Sequence, residues 1–356
     1  MSEFSSLREL YITRLREFYR QPARIFWVYG FPTVLAIGLG LAFQSKQPQT
    51  IRVDLVDSSP TPSAVSQAFE KPEVREGKTG RAGIEVVHST VMEARKRLER
   101  GETPLVVSAS DDGKITYFYD PTRPDAAAAR AAVDDAIQRA LGREDKVASN
   151  DIALDKKGTR YIDFLIPGLI GVNTMGGGLW GIGFLLVNFR IAKLLKRFQA
   201  TPMPRHNFLL AILGARMTFL IPDVGVLLLM GHFLFQMPIR GSWGLIVLVE
   251  VFGALAFAGI GLLIASRAQT TETVSGLMNL VMLPMWLFSG VFFKSTAFPA
   301  VMQPFIQALP LTQLNNALRA VILQGAGIGE VWPALLILGV WAVCTFFFAL
   351  RVFRWN

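Results

Sequence analysis

The chain has 356 residues, 51% of them hydrophobic, with a mean hydropathy of +0.38 and a formal net charge of +9. The apolar residues come in long blocks. This excludes an ordinary soluble protein, because several blocks reach the roughly 20 residues that cross a bilayer. The charge does not indicate a nucleic-acid partner, since the basic residues are scattered along the edges of the apolar blocks instead of gathering on one face. Their expected partners are the anionic headgroups of membrane lipids.

The first segment, 1–24, is predicted to be a cytoplasmic amphipathic helix at the membrane interface. Within 5–21, apolar and aromatic residues recur at helical spacing with arginines between them. Ser6 and Glu9 form a capping-box pattern, and Pro22 ends the segment. A helix of this composition lies in the plane of the membrane surface. The alternative is a solvated leader.

Six apolar runs are predicted to be transmembrane helices, the first an uncleaved anchor rather than a signal peptide. The short segments on one side of these spans carry thirteen Lys and Arg residues, and those on the other side carry three. Cations mark the cytoplasmic side, so both termini are expected there. The single cysteine, Cys344, lies in the last run and leaves no internal disulfide. The runs are 25–43, 164–189, 208–235, 241–265, 273–293 and 331–350.

Residues 46–160 are predicted to form an extracytoplasmic α/β domain, inserted after the segment 25–45 that holds the first span. Nineteen basic and nineteen acidic side chains balance there, so the net charge belongs to the membrane part. Strands, helices and a hairpin turn follow the usual residue preferences. The strands are expected at 50–57, 84–89, 104–110 and 114–120, the helices at 89–101 and 124–142, and the turn at 111–113.

No stretch predicts a catalytic or metal site. EGKTG at 76–80 resembles a phosphate-binding loop, but Pro72 stands where the full pattern needs its first glycine. The sequence also lacks a cysteine cluster, an H-E-x-x-H pattern and a nucleophile elbow. We therefore expect no cofactor on this chain.

The second span is rich in glycine, with seven in PGLIGVNTMGGGLWGIGF. Gly177 and Gly181 have the G-x-x-x-G spacing that lets helices approach closely. Close packing is one interpretation, and a hinge that unwinds during a conformational cycle is the other. The hinge hypothesis names Gly176, Gly177, Gly178 and Gly181, together with Pro284 in the fifth span.

Polar residues inside the spans form a second candidate site. Arg216 and Asp223 lie seven residues apart in the third span and so share a helix face, while Glu250 lies in the fourth. Charges at that depth usually face protein or water. With Asn173 and Thr174 of the second span, they predict either an interhelix polar network or contacts on a transport path.

The stretch 294–330 stays mostly apolar although it contains several prolines. An exposed loop would be more polar. It is predicted to form short re-entrant helices that dip into the outer leaflet and return, which is tolerated where protein covers the backbone.

The stretch 190–205 is predicted to be an amphipathic helix on the cytoplasmic surface. Ile191, Leu194, Leu195 and Phe198 follow helical spacing, with cations on the other faces. The remaining cytoplasmic segments are too short to hold a nucleotide-binding fold. Energy for any transport is therefore expected to come from a partner that docks on this helix.

The sequence resembles the permease subunit of type-2 ABC exporters over nearly its whole length. The motifs that carry the resemblance are YIDFLIPGL, KRFQATPMPRHNFLLA, GIGLLIASRAQTTETVSGLMNLVMLPMWLFSGVFF and PFIQALPLTQLNNALRAVILQG. The family often has an acid after the first arginine of the coupling helix and then Gly-Thr, where this chain has Ile191 and Lys193-Leu194. The resemblance implies a mainly α, polytopic membrane protein with six transmembrane helices and one inserted extracytoplasmic α/β domain.

The resemblance also implies the partners. Such permeases act as dimers, with a second copy or a paralogue, above two ABC ATPase subunits that bind ATP and Mg. Membrane lipids and a periplasmic or outer adaptor are further expected partners. By resemblance, the residues that couple to the ATPase are Arg190, Lys193, Lys196, Arg197, Phe198, Thr201, Pro202 and Arg205.

The expected function is export of drugs, lipids or other amphiphiles across a bacterial plasma membrane. A permease for polysaccharide or another polymer is the alternative within transport. A sensor or scaffold with an external ligand-binding domain is the alternative from another class. Fold-level likeness does not assign the cargo.

Overall fold

The computed structural model describes residues 3–42, 50–57, 64–76, 83–109, 114–143, 160–200 and 204–353. The chain divides into two units, each with its own hydrophobic core. One unit joins Met1–Gln44 to Asp155–Asn356, and the other is Ser45–Leu154.

The larger unit begins with α1 (Glu3–Tyr19), which packs along a later helix of the same unit. The ring centroids of Phe18 and Phe219 lie 4.2 Å apart. The helix predicted in the leader is present, and its apolar face is covered by protein. Next come α2 (Pro22–Ile25), a π-helix (Phe26–Gly30) and α3 (Phe31–Ala42).

The smaller unit is built on four strands, β1 (Ile51–Asp57), β2 (Ile84–His88), β3 (Leu105–Ala109) and β4 (Ile115–Phe118). Their order in the sheet is β2-β1-β3-β4. β1 runs parallel to β2 and β3, whereas β3 and β4 are antiparallel. Each observed strand lies within a predicted one. The predicted turn 111–113 lies outside the described residues.

Helices lie on both faces of this sheet. They are α4 (Ala64–Glu70), α5 (Pro72–Arg75), α6 (Val91–Glu99) and α7 (Pro124–Ala140). α4, α5 and α7 share the main core of the unit, whereas α6 packs on the other face. There Asp54 is buried and accepts hydrogen bonds of 2.9 Å from both Ser89 and Arg97. The stretch that resembles a phosphate-binding loop lies mostly outside the described residues.

The second apolar run forms one helical path of three segments. It comprises α8 (Tyr161–Gly178), a π-helix (Leu179–Phe184) and α9 (Leu185–Ile191). Arg160 fixes the first turn of α8 by two contacts. The Arg160 guanidinium pairs with the buried Asp163 at 3.0 Å and donates to the carbonyl of Phe235 at 2.6 Å. That carbonyl belongs to the end of another long helix, whose last carbonyls lack partners within the helix.

Four more helices continue the bundle: α10 (Leu194–Gln199), α11 (Arg205–Phe235), α12 (Trp243–Arg267) and α13 (Thr271–Phe288). α13 differs from the predicted fifth span 273–293 at its end. It continues past Pro284 without a break and stops at Phe288, because Gly290 takes a left-handed conformation with φ +69°. Pro284 therefore lies inside a continuous helix, and its role as a hinge stays a prediction.

Short helices fill the predicted re-entrant stretch 294–330. They are two 3₁₀ turns (Ser295–Ala297 and Ala300–Met302), α14 (Gln303–Ala308), α15 (Pro310–Arg319) and a π-helix (Ala320–Gln324), followed by α16 (Ile328–Val352). Arg319 is anchored in protein, since it donates to the carbonyls of Phe164 and Gly290 at 3.1 Å and 2.6 Å. The depth of these helices in a membrane stays a prediction.

By length and composition, four helices in the described part of the chain are suited to crossing a membrane. They are Tyr161–Ile191, Asn207–Phe233, Trp243–Arg267 and Ile328–Val352. The first predicted span is a shorter apolar helix, Phe26–Ala42. The structure is thus that of a mainly helical, polytopic membrane protein, and the count of six spans stays a prediction.

Candidate functional site

A cavity of about 480 Å³ lies inside the larger unit. It is bordered by α1, the π-helix Phe26–Gly30, the helical path Tyr161–Ile191 and α11. Its wall combines polar and aromatic side chains, an unusual mixture for the inside of an apolar bundle. The polar part of the wall consists of Arg14, Glu17, Asn173, Asn188, Arg216 and Asp223. The aromatic part consists of Phe18, Trp27, Trp180, Phe184 and Phe219.

Arg216 and Asp223 flank the midpoint of α11 and form a buried ion pair. Arg216 Nη1 donates to Asp223 Oδ2 at 2.7 Å, and the two residues are 8% and 2% exposed. Their spacing of seven residues brings them to one face, as the sequence predicts. Gly177 of α8 faces the guanidinium, where a Cβ would overlap Arg216 Nη2. Any other residue at position 177 would therefore displace the Arg216 side chain.

A second polar contact links α8 to α12. The Thr174 hydroxyl donates to Glu250 Oε2 at 2.6 Å, and both residues are fully buried. Glu250 also interacts electrostatically with Arg216 and Asp223. The amide of Asn173 donates to a carbonyl of the first π-helix at 3.2 Å. The five predicted polar residues thus make three separate contacts around α8. Their joining into one network, like a role on a transport path, stays a prediction.

The predicted helix 190–205 is broken in the structure. α9 ends at Ile191, Lys193 has φ +55°, and α10 covers only Leu194–Gln199. The turn rotates the later residues relative to the earlier ones. Ile191, predicted on the apolar face, is therefore 49% exposed, while Leu195 is buried. Lys193, Lys196 and Arg197 form an exposed cationic segment.

Arg190 does not belong to that exposed segment. Its guanidinium points inward and donates to the carbonyls of Ala265, Ser266 and Ala268 at the end of α12. It also lies 5.5 Å from the ring centroid of Phe353. Cations are stabilising at a helix C-terminus, where carbonyls lack partners. Placing Arg190 on the exposed cationic face was therefore wrong.

Residues 23–351 match the family model of the ABC-2 family transporter protein. The chain belongs to the ABC-2 transporter family. This match covers the exposed cationic segment and the cavity residues from Trp27 onward, and it leaves out α1. The chain is thus an ABC transporter permease, a membrane protein of apolar helices.

Three relatives illustrate the likeness. ABC transporter G family member 20 of Dictyostelium discoideum is 28% identical over 195 residues, which are 54% of the permease and 26% of that relative. The permease therefore spans about a quarter of the length of the Dictyostelium protein. Inner membrane transport permease YadH of Escherichia coli K12 is 26% identical over 206 residues, or 57% and 76% of the two chains. Linearmycin resistance permease protein LnrN of Bacillus subtilis 168 is 32% identical over 130 residues, or 36% and 34%.

The glycines of the second span do two different things in the permease. Gly177 makes room for Arg216, and Gly176 and Gly181 line the cavity. The close helix approach predicted at Gly177 and Gly181 occurs instead at Gly178 and Gly261, where α8 and α12 touch backbone to backbone. Gly181 belongs to the π-helix that follows α8, a feature often found at functional sites.

Two predicted coupling residues, Thr201 and Pro202, lie outside the described residues, as do the side chains of Phe198 and Arg205. Sequence reasoning missed Arg14 and Glu17, which form an ion pair of 2.5 Å on the cavity wall. The available signal was an acid three residues after an arginine on the leader helix. It also missed the anchoring role of Arg319, whose partners are backbone carbonyls and leave no mark in the sequence.

Proposed function

We propose that the permease is the membrane subunit of an ATP-driven exporter in a bacterial inner membrane. In this proposal it dimerises with a second copy or a paralogue and couples to two separate ABC ATPase subunits, which bind ATP and Mg²⁺. The family match and the relatives named as transport permeases support the transporter assignment. The proposed cargo is an amphiphile, because the cavity wall is both polar and aromatic.

One observation carries the proposal. The helical path Tyr161–Ile191 lines the cavity in its middle and leads, after one turn, into the exposed cations Lys193, Lys196 and Arg197. A force applied at the cationic segment would therefore reach the cavity through one continuous helical path. Three clustered cations suit an acidic groove on a partner, since charge complementarity speeds association and fixes register.

The π-helix Leu179–Phe184 is the proposed site of motion in this helix. It lies between the cavity-lining turn of Gly177 and the cationic segment. A π-helix can return to α-helical geometry by a small register shift. ATP binding would favour one of the two arrangements only through contacts that differ between them. The cationic segment is where those contacts are proposed.

The experiment tests docking by charge reversal. Lys193, Lys196 and Arg197 are replaced together by Glu, and the permease is purified with its ATPase from cells that express both. We expect the ATPase to be lost from the complex, together with Mg-ATP hydrolysis in the purified sample. The reason is that three attractive contacts become three like-charge contacts.

A matched control reverses three exposed cations of the smaller unit, Arg95, Lys96 and Arg100. It changes the net charge by the same amount and is expected to retain the ATPase. Full retention of the ATPase by the first variant would refute the proposed coupling segment. Loss from both variants would show a general charge effect and would refute it as well.

A further inference from the structure

The ion pair on the cavity wall leaves polar atoms without hydrogen-bond partners. Among the described residues none bonds to Arg216 Nε, Arg216 Nη2 or Asp223 Oδ1, and all three atoms are shielded from solvent. The hydroxyl of Tyr29 interacts with the same carboxylate and is likewise without a hydrogen bond of normal geometry. Buried polar groups are nearly always satisfied in native proteins. The ion pair therefore has unused hydrogen-bonding capacity, for one acceptor at the arginine and one donor at the carboxylate.

The charges on the cavity wall cancel within the wall itself. Arg14 pairs with Glu17, and Arg216 pairs with Asp223. A simple anion or cation in the cavity would leave a net charge inside an apolar bundle, which is costly in a low dielectric. The neutral wall favours a ligand that carries both charges at once.

The remaining walls indicate that this ligand has an apolar part. Trp27, Trp180 and Phe184 line the same cavity. A second cavity of about 300 Å³ has an almost wholly apolar lining of aliphatic side chains and Phe346. Ile212 lines both cavities, so a single side chain borders the two. The polar cavity suits a headgroup, and the apolar cavity suits a hydrocarbon chain.

We propose that the polar cavity binds the headgroup of a zwitterionic amphiphile that carries an oxyanion and a primary ammonium group. The oxyanion accepts from Arg216, and the ammonium donates to Asp223 and Tyr29. Because the unpartnered atoms are shielded, the Arg216 side chain turns toward the cavity when the ligand binds. The inference rests on the proposed function, since it names the cargo class of that exporter.

The chemistry separates close relatives of the ligand. A primary ammonium has N–H groups to donate, whereas a quaternary ammonium has the same charge and none. Phosphatidylethanolamine has three such N–H groups, and phosphatidylcholine has three methyl groups in their place. Phosphatidylglycerol has the oxyanion without any cation and would leave the site negatively charged.

The test is native mass spectrometry of the detergent-purified permease with added lipids of identical chains. The series is phosphatidylethanolamine, its N-methyl and N,N-dimethyl forms, phosphatidylcholine and phosphatidylglycerol. We expect binding to weaken as N–H groups are lost, by about tenfold or more between the first and the fourth lipid. Phosphatidylglycerol is expected to bind as weakly as phosphatidylcholine. Soluble phosphoethanolamine is expected not to displace the lipid at equal concentration, and displacement would overturn the amphiphile part.

Two variants locate the preference. Asp223→Asn keeps the shape but removes the carboxylate, and it is expected to abolish the preference for phosphatidylethanolamine. Glu272→Gln likewise removes a carboxylate, at an exposed position of α13 that does not line the cavity, and it is expected to keep the preference. Equal binding of all five lipids would mean an annular lipid only and would overturn the inference, as would an unchanged preference in Asp223→Asn.

If Asp223→Asn does not fold, the lipid series on the unmodified permease decides the matter. The measurement needs no ATPase, so its failure is separate from failure of the proposed function. A permease that shows the headgroup preference but retains its ATPase after charge reversal would refute only the coupling proposal. One that loses its ATPase as proposed but shows no headgroup preference would refute only the inference about cargo.

Discussion

Arg190 and Lys196 carry the same charge six residues apart, yet their surroundings are opposite. Arg190 binds carbonyls at the end of α12, whereas Lys196 is exposed on α10. The carbonyl of Ala265 lies 75 residues further along the chain from Arg190. Hydropathy and helical spacing describe only a residue's neighbours along the chain. They therefore placed both cations on the same surface.

Replacing Arg190 by Gln is expected to lower the free energy of unfolding by about 1–3 kcal/mol, because charged hydrogen bonds to the end of α12 are lost. The matched change, Lys196→Gln, is expected to stay within about 0.5 kcal/mol, since an exposed side chain makes few contacts. Both are measured by denaturant unfolding in detergent, followed by tryptophan fluorescence. Equal destabilisation by the two changes would contradict the assigned role of Arg190.

Other single residues were predictable because their signal is local. Arg216 and Asp223 are two helical turns apart, so their shared face follows from helix geometry. The room for Arg216 at Gly177 does not follow, because it needs the packing of α8 against α11. The pairing of Thr174 with Glu250 spans 76 residues and likewise depends on how α8 meets α12.

At the scale of elements, long apolar runs predicted the main helices well. The failures lie where a run ends or bends. α13 stops at Phe288 although apolar residues continue to 293, because the chain turns at Gly290. The coupling helix breaks at Lys193, where a left-handed residue lies between segments whose apolar spacing looks continuous. In both places tertiary contacts override a pattern that is locally helical.

The contact between α8 and α12 makes a prediction about two neighbouring glycines. A Cβ at Gly178 would overlap Phe257 and the backbone beside it, whereas nothing lies within 4 Å of a Cβ at Gly176. Gly178→Ala is expected to destabilise the permease by about 1–3 kcal/mol through overpacking. Gly176→Ala is expected to be neutral or stabilising by up to about 1 kcal/mol, because alanine favours helix over glycine.

Thermal unfolding of the two glycine variants, purified in the same detergent, measures this difference. If only Gly178→Ala lowers the midpoint temperature of unfolding, α8 and α12 are in tight contact and are expected to move together. Equal midpoint temperatures would show that the α8–α12 contact at Gly178 tolerates an added methyl group. That contact would then not fix the position of α8 in the cavity wall.

At the scale of the whole molecule, the distribution of cations predicts the orientation in the membrane. The segments assigned to the cytoplasm hold thirteen Lys and Arg residues against three on the other side, and this asymmetry orients membrane proteins. Cys344 is the single native cysteine. In a Cys344→Ser background, a cysteine introduced at another position is therefore the only thiol that can be labelled. Met92 of the smaller unit is 68% exposed, and Lys196 is exposed on α10.

On that background, Met92→Cys is expected to react with a membrane-impermeant maleimide in right-side-out spheroplasts and not in inside-out vesicles. Lys196→Cys is expected to show the reverse, because the cationic segment is proposed to dock on an ATPase in the cytoplasm. Labelling of both positions from one side would contradict the orientation. Labelling of Lys196→Cys from the outside would in addition refute the proposal that a cytoplasmic ATPase docks on the cationic segment.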